Sequence, residues 1–99
     1  MRLRLLVVPI AQRHIRAAKQ WWSKNRPAAP ELLSDELEKA FDLIVSQPHI
    51  GPPATNVRAP GVRRFHLARV HYHIYYRPKP DVVEILAFWH ARRGSGPNL

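Results

Sequence analysis

Apolar positions recur along the chain with a period that changes twice. Leu3, Leu5 and Val7 alternate with Arg4 and Leu6, which predicts a short strand whose partner lies elsewhere in the sequence. Pro9 closes it. Ala11, Ile15, Ala18 and Trp22 then follow at spacings of four, three and four, one face of a helix, with Arg13, Arg16, Lys19 and Lys24 mostly off that face. Asn25-Arg26-Pro27 interrupts the pattern, and from about Ala28 a second helical period runs through Leu33, Leu37, Ala40/Phe41 and Ile44. Glu31, Asp35 and Glu36 fall in its early turns, where the helix dipole favours negative charge. The short break predicts an antiparallel helical hairpin.

Residues 48–61 hold Pro48, Gly51, Pro52, Pro53, Pro60 and Gly61, too many breakers for a regular element, and read as a loop. The last third is β-branched and aromatic: Val62 to Leu67, Val70 to Arg77 and Val82 to Trp89 predict a three-stranded meander. In its middle run Val70, Tyr72, Ile74 and Tyr76 alternate with His71, His73, Tyr75 and Arg77, and Arg77-Pro78-Lys79-Pro80-Asp81 turns into the third strand. That strand is apolar on both faces, with Val83, Ile85, Ala87 and Trp89 on one and Leu86 and Phe88 on the other, as for a strand inside the sheet. Residues 94–99 belong to no element. The order β-α-α-β-β-β predicts one α+β domain over residues 1–99, a helical hairpin packed on a four-stranded, mainly antiparallel sheet whose other face is concave and partly polar.

Composition narrows the chemistry. The 99 residues suit one small core, and the absence of cysteine excludes disulfides, thiolate–zinc sites and cysteine nucleophiles. The apolar start at Leu3–Val8 is too short for a signal-peptide core or a membrane span, so a cytoplasmic protein is expected. A formal charge of +9 favours polyanions or acidic protein surfaces as partners. The charge is segregated: residues 1–30 hold seven Lys/Arg and no acid, five of the seven acids lie in residues 31–42, and the chain is basic again beyond residue 57.

Trp21-Trp22 at the end of the first helix, Asn25-Arg26-Pro27-Ala28-Ala29 at the helical turn, Pro48-His49-Ile50-Gly51, Gly61-Val62-Arg63-Arg64, Tyr72-His73-Ile74-Tyr75-Tyr76-Arg77 and Ile85-Leu86-Ala87-Phe88-Trp89-His90-Ala91-Arg92-Arg93-Gly94 occur in the order seen in RelE/ParE toxins. On that ordered set, from about Leu3 to Pro97, the chain resembles the RelE/ParE superfamily. The resemblance implies a growth-inhibiting toxin neutralised by a cognate antitoxin that wraps it, with an acidic, partly disordered partner suited to the basic surface. It also implies one of two targets: RelE-like members cleave messenger RNA on the ribosome, and ParE-like members block DNA gyrase.

A metal-independent ribonuclease needs an acid or base and several cations around the phosphate. His90, with Arg63, Arg64 and Arg77, is the set this sequence offers if it is RelE-like. His90 is followed by Ala91-Arg92 with no later tyrosine, and Pro52-Pro53-Ala54-Thr55-Asn56-Val57 stands where such nucleases often carry lysines, so the pattern favours ParE. Contacts to target or antitoxin are expected from Trp21, Arg58, Arg63, Arg64, Tyr75, Arg77, Arg92 and Arg93, while Trp22 and Trp89 are expected in the core. The arginines also read as solvated edge charges. His71 and His73, two apart on one strand face, with His66 or Glu84 as a third ligand, suggest a metal site less well than sheet packing, and no cofactor or metal is expected. A third possibility is a basic nucleic-acid-binding module, with Tyr75 beside Arg77 as an aromatic–cation pair.

Overall fold

A computed structural model describes residues 3–99, leaving Met1 and Arg2, the charged start of the sequence, outside the described residues. The elements are β1 (Arg4–Val7), α1 (Pro9–Asn25), α2 (Leu32–Ser46), β2 (Arg63–Leu67), β3 (Tyr72–Pro78) and β4 (Val82–His90). They form one four-stranded sheet in the order β1-β4-β3-β2. β1 runs parallel to β4, and β2–β3 and β3–β4 are antiparallel.

Both helices stop for the same local reason. Arg26 precedes Pro27 and Gln47 precedes Pro48, and the proline ring pushes the preceding residue out of the helical region, at φ −134° and −135°. α2 begins at Leu32, four residues later than the apolar period suggests. Pro27 and Pro30 hold residues 26–31 in turns, and the Ala29 carbonyl accepts the indole N–H of Trp22 at 2.8 Å. The α1 stripe is buried at Ala11, Ala18 and Trp22, and the α2 stripe at Leu33, Leu37, Ala40, Ile44 and Val45.

Both stripes pack on one sheet face, formed by Leu67, Tyr72, Ile74, Tyr76, Val83, Ile85 and Phe88. The faces of β4 differ from the sequence expectation. Tyr76 pairs with Ile85 but Tyr75 pairs with Ala87, so Leu86 is an extra residue that switches the alternation. Val83 and Ile85 therefore share the helix side with Phe88, while Ala87 and Trp89 lie on the opposite face.

That opposite face is not an open concavity. Val62, Tyr75 and Ala87 form a second buried cluster under Ala54, Val57, Ala59 and Leu99. The tail is correspondingly ordered, although it forms no helix or strand: Pro97 is buried, and the Leu99 carbonyl accepts the N–H groups of Arg58 and Ala59 at 3.1 and 3.3 Å. The 48–61 segment also covers the free edge of β2. Arg64 N–H donates to Pro52 O and Ala54 N–H to Val62 O, both at 2.9 Å. An exposed sheet edge invites pairing with other chains, and here one edge is covered while β1 stays open.

The Tyr76 side chain, fully buried, locks this loop to the core. Its hydroxyl donates to Pro48 O and accepts from Gly51 N–H, each at 2.9 Å. Gly51 allows the approach, since a Cβ there would sit 2.9 Å from both the Arg64 carbonyl and the Tyr76 hydroxyl. Replacing Tyr76 by Phe strands a buried donor and acceptor and should lower unfolding free energy by about 2 kcal/mol. Urea denaturation of Tyr76→Phe checks this; an unchanged midpoint would mean the loop is not anchored through the hydroxyl.

Candidate functional site

The exposed basic surface gathers where β1 ends. β1 pairs with β4 only as far as Ile85, so the last residues of β4 lack a strand on that side. α1 takes its place: His14 Nδ1 accepts the Phe88 N–H at 3.3 Å, and the His14 ring meets Trp89 edge-on at 5.4 Å. Trp89 is half-buried on the outer face rather than in the core, its indole N–H donating to Ser95 O at 2.7 Å. The Arg93 guanidinium lies 3.7 Å from the centre of the Trp89 ring, a close cation–π contact.

The same face continues across the sheet. His73 pairs with Trp89 on one side and with His66 on the other, and the two imidazoles stand with Nδ1 atoms 3.3 Å apart. Arg64 lies beside His73 and, with Arg58, Arg92 and Arg93, has no acidic side chain within ion-pair distance among the described residues. The result is a row running His66, His73, Trp89, His14 from β2 to α1, with Arg64 and Arg93 beside it. No acidic residue belongs to it.

Burial and neighbouring charge depress His73, His14 and His90. Burial, then Arg64, then His66 bring His73 down from 6.5 to about 4. Burial, then Arg93 and Arg13, lower His14, and burial, then Arg92 and His71, lower His90.

The four residues suggested for ribonuclease chemistry are not brought together. His90 faces the helix side, pairs with Tyr72 and packs edge-on to its ring at 5.0 Å, while its Nδ1 accepts the Arg92 N–H at 3.1 Å. Arg63 shares that side but sits next to Tyr76, donating to Gly51 O at 2.6 Å and His49 O at 3.3 Å. Arg77 is paired to Glu84 at 3.2 Å, where Lys79 joins it at 3.6 Å, and Arg64 is on the outer face. Tyr72 to Arg77 is five strand steps, about 17 Å, so His90 and Arg77 occupy opposite ends of the sheet.

Among the other expected contact residues, Trp21 is 45% exposed and tilts against Trp22, with Arg26 5.5 Å above its ring. Arg58, Arg92 and Arg93 are exposed. Tyr75 is only 1% exposed, its hydroxyl accepting from Asn56 Nδ2 at 2.9 Å, so it has no surface with which to meet a partner. Its place in an alternating strand could not reveal the loop and tail above it. His71 leaves the strand altogether, sitting at φ 62° in the β2–β3 turn, and does not share a face with His73. No group of three or more metal-ligating side chains occurs among the described residues. The sequence reading missed His14, which is apolar-stripe-adjacent in α1 and gains its role only through the shortness of β1.

A four-stranded mixed sheet under a helical pair, in the order β1-α1-α2-β2-β3-β4, is an α+β fold of the RelE/ParE type. The model of the ParE toxin of the type II toxin–antitoxin system parDE matches residues 5–94, and the chain belongs to that family. No curated protein matches it. Among solved structures, the chromosomal ParDE toxin–antitoxin system from P. aeruginosa is similar at 19% identity and a TM-score of 0.67, covering 91% of this chain and 97% of that one. The RelBE2 toxin–antitoxin complex from Mycobacterium tuberculosis is similar at 21% identity and a TM-score of 0.63, covering 91% and 99%. These likenesses establish the shared fold.

The depressed imidazoles make a pH prediction. His73 binds its proton more weakly in the fold than in the unfolded chain, so its stabilising contribution is complete above 6.5 and is lost as pH falls towards about 4. His14 and His90 act in the same direction. Urea midpoints measured from pH 7 to 5 should fall for the native chain and fall less for His73→Gln. Parallel curves for the two would rule out His73 as a source of the acid sensitivity.

Proposed function

We propose that this ParE-family toxin arrests growth by acting on DNA gyrase, that an acidic, partly disordered antitoxin neutralises it, and that it works in the cytoplasm. The observation that carries the target assignment is the dispersal of His90, Arg63, Arg64 and Arg77 over two faces and both ends of the sheet. General acid–base chemistry needs these groups within hydrogen-bond reach of one phosphate. Three of the four are already engaged, Arg63 by carbonyls, Arg77 by Glu84 and His90 Nδ1 by the Arg92 N–H. A protein that binds its target without cutting it needs no such assembly.

The antitoxin assignment rests on the surface of α1 and β1. Leu5, Leu6 and Ile10 are exposed, and a shallow groove of about 430 Å³ beside them is lined by Val7, Gln12, Ile15, Arg16 and Lys19. Apolar floor and basic rim suit a segment that alternates apolar and acidic residues. No helix among the described residues is long and apolar enough to cross a membrane.

Brief induction in bacterial cells, with plasmid supercoiling, the DNA damage response and translation rate followed together, tests the target. The expected result is loss of negative supercoiling or DNA breakage ahead of any fall in translation. His90→Ala should stay toxic, whereas removing a general acid or base would cost about 10²- to 10⁴-fold in cleavage. Immediate translation arrest with cleaved messages, abolished in His90→Ala, would replace the gyrase reading by the RelE-like one.

A further inference from the structure

His66 and His73 occupy directly paired positions on antiparallel strands, so both side chains stand on the same outer face with their backbones fixed relative to one another. Their Nδ1 atoms are 3.3 Å apart and the ring centres 4.8 Å apart. Two imidazole nitrogens bound to one tetrahedral ion at 2.0–2.1 Å are separated by about 3.4 Å, so the pair already has the bite of a bidentate metal ligand. We propose that His66 and His73 form an open two-histidine site for a borderline transition-metal dication such as Cu²⁺, Ni²⁺ or Zn²⁺.

The site has the features such an ion needs and one that opposes it. Imidazole is a preferred ligand of these metals over Mg²⁺ or Ca²⁺, which take oxygen donors. His66 is exposed and His73 half-buried, so water can fill the remaining coordination positions. Holding the two rings on paired strands removes most of the ordering that ligation would otherwise require. Arg64 repels a dication, which keeps affinity below that of a closed four-ligand site. No third His, Cys, Asp or Glu joins the pair among the described residues, so the ion is not structural and the fold does not depend on it. An ion there would offer its open positions on the same face as Trp89.

The test is titration of the untagged full chain with CuCl₂, NiCl₂ or ZnCl₂ at pH 7.5, followed by calorimetry and by imidazole nitrogen resonances. The expected result is saturable one-to-one binding that shifts or broadens His66 and His73 and weakens as pH is lowered. His66→Ala and His73→Ala should each lose it while remaining folded at pH 7.5, as read by circular dichroism. His71→Asn, in the neighbouring turn, should bind as the native chain does. Absence of saturable binding, or binding that survives both alanine variants, would overturn the proposal and leave the 3.3 Å contact as an N–H···N hydrogen bond between the two rings.

Discussion

β4 is apolar on both faces and hydrogen-bonded on both edges over its first half, and this one strand constrains everything around it. A strand buried on both sides must find two covers. The helices supply one, through Ala11, Ala18, Leu37 and Ile44. The other comes from residues 54–59 and the tail, too short to be elements but long enough to shield Tyr75 and Ala87. The cover ends before the last turn of the sheet. What remains exposed on the outer face is therefore a strip at the C-terminal end of β4, where Trp89, His73 and His66 lie.

The sequence carried the element order and the helical stripes because both follow from local periods, and connectivity implied that β1 pairs with a later strand, but not that it runs parallel to β4. What it could not carry are features created by a partner. The Leu86 bulge exists only as a register between β3 and β4, so a single-strand alternation placed Ala87 and Trp89 on the wrong side. The late start of α2 depends on the Trp22 indole claiming the Ala29 carbonyl. Burial of Tyr75 depends on Asn56 and Leu99, far away in sequence. His14 matters because β1 stops at Val7 and leaves the Phe88 N–H to be satisfied from α1. His66 and His73 were visible as histidines, but the competing choice of His71 came from counting along one strand instead of across two.

Charge segregation in the sequence becomes a division of labour in the fold. Glu36 receives Lys39 and Arg69, and Glu84 receives Arg77 and Lys79, so these two acids compensate cations at the α2 side and at the β3–β4 turn. Among the described residues, the cations of α1 and of the end of β4 form no such ion pair. Cations lie beside the histidine row, where burial first and then Arg64 and Arg93 lower the affinity of His73 and His14 for protons.

The rigidity of the sheet bears on the choice between the proposed targets. A catalytic set scattered in an isolated protein can assemble on its target when its members sit on loops that move. Here His90, Arg63, Arg64 and Arg77 are all strand residues, fixed by ladder pairing to Tyr72, Tyr76, Tyr75 and Glu84. Joining His90 to Arg77 requires crossing the sheet plane and travelling about 17 Å along β3, which means breaking the meander rather than adjusting it. A ribonuclease built on this chain would therefore have to recruit other groups, and the outer row offers imidazoles and arginines without a carboxylate or an exposed tyrosine. Cationic and aromatic surfaces of that kind bind acidic or aromatic partners without further chemistry, which is why the gyrase-directed reading fits the geometry with fewer rearrangements.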